Sequence, residues 1–255
     1  LALARELGAT YVIAALDPTA KQQLKQLDGV SRALDCTGVP EVIKLAGGVQ
    51  VDVFAGADQN YKVTVEQLET ARTPKTKALL FCSPSNPTGS VYTREETEAI
   101  GQWAWQNGMW VITDEIYQNL TYDGVKAVSI TEAVPELIDR TILVNGVAKS
   151  YAMTGWRLGF TANKKLAPYF TNWITNTESC ASHITQWAGV QALNGPQDDA
   201  RHMREVFLSR RNLIVGLLNQ LPGVTCKTPG GAFYAWPNVT EACRLTGCAD
   251  SEEFR

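Results

Sequence analysis

The sequence is 255 residues long, enough for one large or two small domains around a sizeable core, which excludes a peptide or a stapled miniprotein. Lys and Arg number 23 against 26 Asp and Glu, a net charge of −3 with no basic block, so no nucleic acid and no anionic membrane is expected as a partner. Hydrophobic residues at 45% and charged residues at 19% are globular proportions and exclude disordered and fibrous classes.

Residues 1–46 alternate helix and strand signals: LALARELGA, then YVI, a helix opened by Asp17-Pro18, then VSRALDCTG and PEVIKLA. A second α/β rhythm begins with a strand at 49–55 (VQVDVFA), the helix-like VEQLETAR and a strand at 77–82 (KALLFC). It continues with the helix-like REETEAIGQWAWQNG, where Thr93 is the expected N-cap and Glu96 stands three residues later, and with a strand at 109–115 (MWVITDE). Apolar runs at 141–148 (TILVNGVA) and 156–162 (WRLGFTA) read as further strands, the second after a turn at Thr154-Gly155. From Lys164 the pattern is helical, with a long amphipathic stretch over 198–221 stopped by Pro222-Gly223. VTCKT and AFYAW then read as two short strands of a different layer.

The six cysteines (Cys36, Cys82, Cys180, Cys226, Cys243 and Cys248) form no CxxC, and neither His183 nor His202 stands at ligand spacing from one. They read as reduced thiols, with no disulfide framework and no metal site expected. Together with the lack of a signal-peptide pattern, this makes a cytoplasmic location the expectation. The longest stretch without Asp, Glu, Lys or Arg, 179–197, carries Ser, His, Thr, Gln and Asn and does not cross a bilayer. Tryptophans such as Trp103, Trp105, Trp110, Trp156 and Trp173 read as core or interface packing, as does Met153. Leu1 and the acidic, helix-like ending SEEFR read as cut ends.

Chemistry gathers where strands end. Asn86 follows KALLFC, Asp114 and Tyr117 follow MWVI, and Lys149 follows TILVN. In a parallel sheet the carboxyl ends of strands share one rim, so these residues are expected to meet in one crevice. Arg157, eight residues after Lys149, is expected to return to the same rim. An amine, a carboxylate, a phenol, an amide and a guanidinium each have a distinct partner on a phosphorylated aromatic aldehyde such as pyridoxal 5'-phosphate.

The motifs SPSNPTGSVY, TDEIYQNLTYDG, VNGVAKSYAMTGWRLGF and PGGAFYAWPNV occur in this order, and through them residues 48–255 resemble the class I pyridoxal-phosphate aminotransferases of fold type I, most closely the bacterial aspartate aminotransferase branch. The resemblance implies an α/β fold with a three-layer, mostly parallel sheet. The large domain would cover 48–210, and the start of a small α+β domain 211–255. It implies that Lys149 forms the Schiff base and then moves the substrate's α-proton as a general base, with Tyr117 as its catalytic companion. Asp114 would keep the pyridine nitrogen protonated, Tyr117 and Asn86 would hydrogen-bond the ring oxygen, and Arg157 would pair bidentately with the phosphate. The family has Ser before the lysine where this chain has Ala148, so one phosphate hydrogen bond is missing.

The implied reaction is amino-group transfer between an amino acid, aspartate or glutamate, and a 2-oxo acid, in a homodimer. Activity is expected to be impaired, because the amino-terminal arm, the phosphate-cradling loop and the arginine that clamps the substrate carboxylate are not recognisable here; neither Arg244 nor Arg255 matches that arginine's motif. A carbon-sulfur lyase and a non-catalytic or misassembled chimera are the alternatives. The chimera reading comes from residues 1–46, which resemble a piece of a zinc-type medium-chain alcohol dehydrogenase joined near 43–48, with 1–47 expected as a separate fragment. That piece lacks both the GxGxxG turn and the acidic ribose ligand, so NAD binding has little support.

Overall fold

The structure, a computed structural model, describes residues 49–254 and the backbone of residues 32–35. The apolar runs become strands of one six-stranded sheet: β1 (Arg32–Asp35), β2 (Gln50–Asp52), β3 (Thr76–Cys82), β4 (Trp110–Asp114), β5 (Thr141–Gly146) and β6 (Gly159–Ala162), in spatial order β2-β1-β3-β4-β5-β6. The first five run parallel and β6 runs antiparallel to β5. The fold is therefore α/β with a mostly parallel sheet, as the resemblance implied.

The helices are α1 (Val65–Ala71), α2 (Arg94–Gln106), α3 (Ile130–Ala133), α4 (Ala167–Thr177), α5 (His183–Asn194), α6 (Asp198–Leu218), α7 (Thr240–Thr246) and α8 (Ser251–Phe254). After α6, β7 (Thr225–Cys226) and β8 (Pro237–Asn238) form a separate antiparallel pair.

The core lies where α1, α2 and α3 pack with β3 and β4. Leu68, Leu79, Phe81, Ile100, Met109, Val111, Ile130, Val134 and Leu137 are fully buried there, each stabilising the fold by about 1.5–3 kcal/mol relative to exposure. Leu79 and Val111 are register partners on adjacent strands, which explains why both strands read as unbroken apolar runs. Thr93 starts α2 with the expected capping box: the Glu96 backbone N–H donates to Thr93 Oγ1 at 3.2 Å, and the Thr93 N–H donates to Glu96 Oε2 at 2.8 Å. Gly101 lets α2 settle on α3, because a Cβ there would lie 2.7 Å from Val134 Cγ2.

Several boundaries differ from the sequence expectation. The strand expected at 49–55 is only Gln50–Asp52. In the run 156–162 the strand begins at Gly159, because Thr154–Trp156 forms a 3-10 turn and Arg157 adopts a left-handed backbone with φ of 54°. AFYAW is not a strand; pairing with β7 occurs further on, at Pro237–Asn238. β1 lies inside the segment expected to be a separate fragment, yet Ala33 is the register partner of both Gln50 and Ala78. The expected boundary at 47/48 thus falls within one sheet. The other dehydrogenase-like residues, 1–31 and 36–47, lie outside the described residues.

Trp103 is buried, as a packing role requires, whereas Trp173 on α4 is 68% exposed and Trp187 on α5 is 74% exposed, so neither packs in a core of this chain. No helix among the described residues is long and apolar enough to cross a membrane.

Candidate active site

Three parallel strands deliver the expected residues to one rim. β3 ends at Cys82 and runs into the loop that carries Asn86, a tight turn closed by Ser85 N–H to Ser90 O at 2.9 Å and Gly89 N–H to Ser85 O at 2.9 Å. β4 ends at Asp114, the register partner of Cys82. Asp114 Oδ1 accepts from the Ile116 N–H at 3.1 Å, and the turn that follows carries Tyr117, with Leu120 N–H bonded to Tyr117 O at 2.8 Å. β5 ends at Gly146, and Lys149 follows in a turn where Ala152 N–H reaches Lys149 O at 3.3 Å.

These residues act on one another. Lys149 Nζ stands 5.8 Å from the centroid of the Tyr117 ring and 5.4 Å from that of Phe233, over two aromatic faces. Among the described residues no carboxylate forms an ion pair with it, so the amine is available to a carbonyl group. Tyr117 is buried, and its hydroxyl hydrogen-bonds the Tyr234 hydroxyl. Burial pushes the Tyr117 phenol far above its ordinary range, and Tyr234, Cys82 and Asp114 push it the same way. Burial, reinforced by the Asp114 charge, pushes the Cys82 thiol up to about 12, while a backbone hydrogen bond from Asn86 opposes the shift. The structure therefore brings Asn86, Asp114 and Tyr117 together around Cys82, with Lys149 over the Tyr117 ring.

Arg157 stands differently. Its left-handed backbone turns the chain before β6, and its Nη1 donates to Thr154 O at 3.0 Å. It lines a cavity of about 830 Å3 with Gly155, Trp156, Glu178 and Ser182, whose walls include none of the other four residues. Asn86 and Cys82 line a second cavity, of about 570 Å3, with Phe54, Tyr61 and Trp236. β6 starts at Gly159, the register partner of Gly146 at the end of β5, so the Arg157 backbone lies beside that rim while its side chain bonds Thr154 O.

Sequence reasoning missed Phe233 and Tyr234. They belong to PGGAFYAW, which it used only to mark the family, and their place beside Tyr117 depends on a long-range approach of chain. T-shaped contacts join Tyr117 to Phe233 at 5.4 Å and to Tyr234 at 5.6 Å, and Phe207 of α6 stacks on Phe233 at 5.4 Å. Cys82 reads in the sequence only as one of the reduced thiols. Burial is the main cause of its shift, and Asp114, opposite it in the sheet, adds to it.

An amine held over aromatic rings, with a carboxylate, a phenol and an amide at adjoining strand ends, can capture an aldehyde and direct hydrogen bonds at a ring around it. The family model described as aminotransferase class I and II matches residues 33–254. The aspartate aminotransferase of Streptomyces avermitilis is 52% identical over 204 residues, 80% of this chain and 50% of that protein. The aspartate aminotransferase of Geobacillus stearothermophilus is 47% identical over 216 residues, 84% of this chain and 55% of that protein. The solved aspartate aminotransferase of Rhizobium meliloti superposes with a TM-score of 0.79 at 34% identity, covering 87% of this chain and 58% of that one. The chain thus spans about half the length of the curated relatives it matches. The family match crosses the junction expected near 43–48, and the dehydrogenase-like reading of residues 1–46 is left without support. With its motifs, its sheet and 222 consecutive residues (33 to 254) inside one family model, the chain belongs to the class I and II aminotransferases.

Proposed function

We propose that this chain carries the lysine-bearing core of an aminotransferase that moves an amino group between an amino acid, aspartate or glutamate, and a 2-oxo acid, using pyridoxal 5'-phosphate. The observation that carries the proposal is the Lys149 amine, free of any carboxylate among the described residues and 5.4–5.8 Å from two aromatic centroids, on the rim where β3, β4 and β5 end. The residues present fit the ring end of that cofactor: an unpaired amine for its aldehyde, a carboxylate for its pyridinium, and a phenol and an amide for its ring oxygen. When bound, the cofactor supplies an electron sink for the charge left when the substrate's α-proton departs.

The chain's residues do the rest. Lys149 anchors the aldehyde carbon and, once released, takes the proton from the substrate α-carbon. Asp114 holds a proton on the pyridine nitrogen by opposite charge. Tyr117 and Asn86 direct donors at the ring oxygen. Arg157, two residues before the Gly159 that pairs with the end of β5, pairs with the phosphate, and Ala148 offers no hydroxyl beside it.

A homodimer is part of the same reading, supported by the exposed aromatics of α4 and α5, Tyr169, Trp173 and Trp187. So is a reducing, cytoplasmic setting, supported by the free thiols of Cys82, Cys180, Cys226, Cys243 and Cys248. Titration with pyridoxal phosphate tests the function. Wild type is expected to develop a visible absorbance band, with aspartate turning it over poorly or not at all, and Lys149→Ala to develop none. A band of equal strength in Lys149→Ala would refute the reading.

A further inference from the structure

Tyr234 reaches Tyr117 because the chain around it is fastened to both loops that carry the candidate site. Gly231 N–H donates to Gly89 O at 2.9 Å, Ala232 N–H to Leu120 O at 2.8 Å, and Tyr122 N–H to Gly230 O at 3.0 Å. Glycines make the approach possible: a Cβ on Gly89 would lie 2.4 Å from Pro229 Cβ, and one on Gly231 2.8 Å from Pro84 Cβ. From the far side, Arg211 of α6 donates to Pro229 O at 3.0 Å and pairs with Asp123 at 2.7 Å. The Tyr234 phenol is thereby held with its ring 5.6 Å from that of Tyr117, at 73°, and the two hydroxyls share a hydrogen bond.

A phenol has one proton to give and lone pairs to accept with. If Tyr117 gives its proton to a ring oxygen, its own oxygen must accept from elsewhere, and Tyr234 is the hydroxyl beside it. A bond received at that oxygen polarises the Tyr117 O–H and strengthens the bond it gives.

We infer that Tyr234 is a positioning residue, whose hydroxyl donates to Tyr117 and so aims the Tyr117 proton at the ring oxygen of the cofactor. The inference rests on the cofactor reading above and deepens it. Tyr234 touches no reacting atom; it acts through Tyr117. The segment that starts the second layer of the molecule thereby helps set the strength of a donor in the first.

The test has two arms. In the first, 3,5-difluorotyrosine is placed at position 117 of the cofactor-free protein and its ionisation followed by fluorine resonance. Fluorination acidifies position 117 against the burial that holds its phenol up, and on the inferred direction Tyr234 donates to the anion that forms. A hydrogen bond to a charged acceptor outweighs one to a neutral acceptor, so Tyr234→Phe should raise the midpoint by about one pH unit. An unchanged midpoint overturns the pairing, and a fall, which would make Tyr117 the donor to Tyr234, overturns the direction. In the second arm, the protein is loaded with pyridoxal phosphate and its visible band titrated with pH. A ring oxygen with a weaker donor keeps more electron density and holds the neighbouring proton more tightly, so Tyr234→Phe should move the midpoint upward, by less than Tyr117→Phe does. No movement in this arm, with movement in the first, overturns the role toward the cofactor. Failure of the underlying reading shows separately: wild type then forms no borohydride-reducible adduct at Lys149, and the inference falls with it. Should Tyr234→Phe fail to fold, the reciprocal label, difluorotyrosine at 234 with Tyr117→Phe, reads the same pair from the other side.

Discussion

Glu115 is 3% exposed, with its Oε1 accepting from Thr113 at 3.1 Å and Ser129 at 2.8 Å while its Oε2 has no hydrogen-bond partner. Burial raises its pKa above the ordinary 4.5, outweighing those hydrogen bonds, and the Asp114 charge adds to the rise. The folded state therefore favours the neutral acid. That contribution is complete below the unfolded pKa and is lost as pH rises through the folded one. Glu115→Gln cannot ionise, so its melting temperature should gain on wild type as pH rises from 4.5 toward neutrality. Parallel melting curves across that range would show that Glu115 is not buried as a neutral acid. Cys82, buried and pushed up to about 12, should resist alkylation in the native protein at pH 8, whereas exposed Cys180 should react; peptide mass analysis distinguishes the two. At this scale the sequence was legible where a residue ends an apolar run, as Asn86, Asp114, Tyr117 and Lys149 do. It was not legible at Tyr234, whose neighbour stands 117 residues away, nor in the left-handed backbone of Arg157, which carries no marker residue such as glycine.

At the scale of elements, local chemistry and long-range packing make separate contributions. The α2 capping box is written in four residues and appears as expected, so Thr93→Ala should cost about 0.5–2 kcal/mol, read from urea unfolding at unchanged m-value. Arg211 is written nowhere so plainly. It is 8% exposed on α6, with its guanidinium 5.0 Å from the Tyr122 centroid, bonded to Pro229 O and paired with Asp123. Arg211→Met fills similar space but leaves the buried Pro229 carbonyl unpartnered, at about 1–3 kcal/mol. The same variant should loosen the segment that holds Tyr234, seen as faster amide exchange at Gly231 and Ala232. Exchange unchanged at both would show that Arg211 does not secure it. The segment AFYAW illustrates why such elements escape the sequence: its aromatic pattern suits a strand, yet the Ala232 bond to Leu120, next to the Gly231 bond to Gly89, holds it in place of a ladder.

For the whole molecule, the parallel order of β3, β4 and β5 makes a site out of residues scattered from Asn86 to Lys149, because each strand ends on the same side of the sheet. Alternating apolar runs and helices made that architecture readable. They did not reveal that β1, taken with a different lineage, completes the sheet between β2 and β3. Its four residues carry no signal of their partners, and parallel pairing across long connections leaves none in the local sequence. The central claim is that Lys149 is the amine the fold prepares for an aldehyde. Its most direct measurement is borohydride reduction of the protein incubated with pyridoxal phosphate, followed by peptide mapping. The account predicts one equivalent of label, on the peptide containing Lys149, and its disappearance in Lys149→Ala; label spread over surface lysines, or persisting undiminished in that variant, would contradict it.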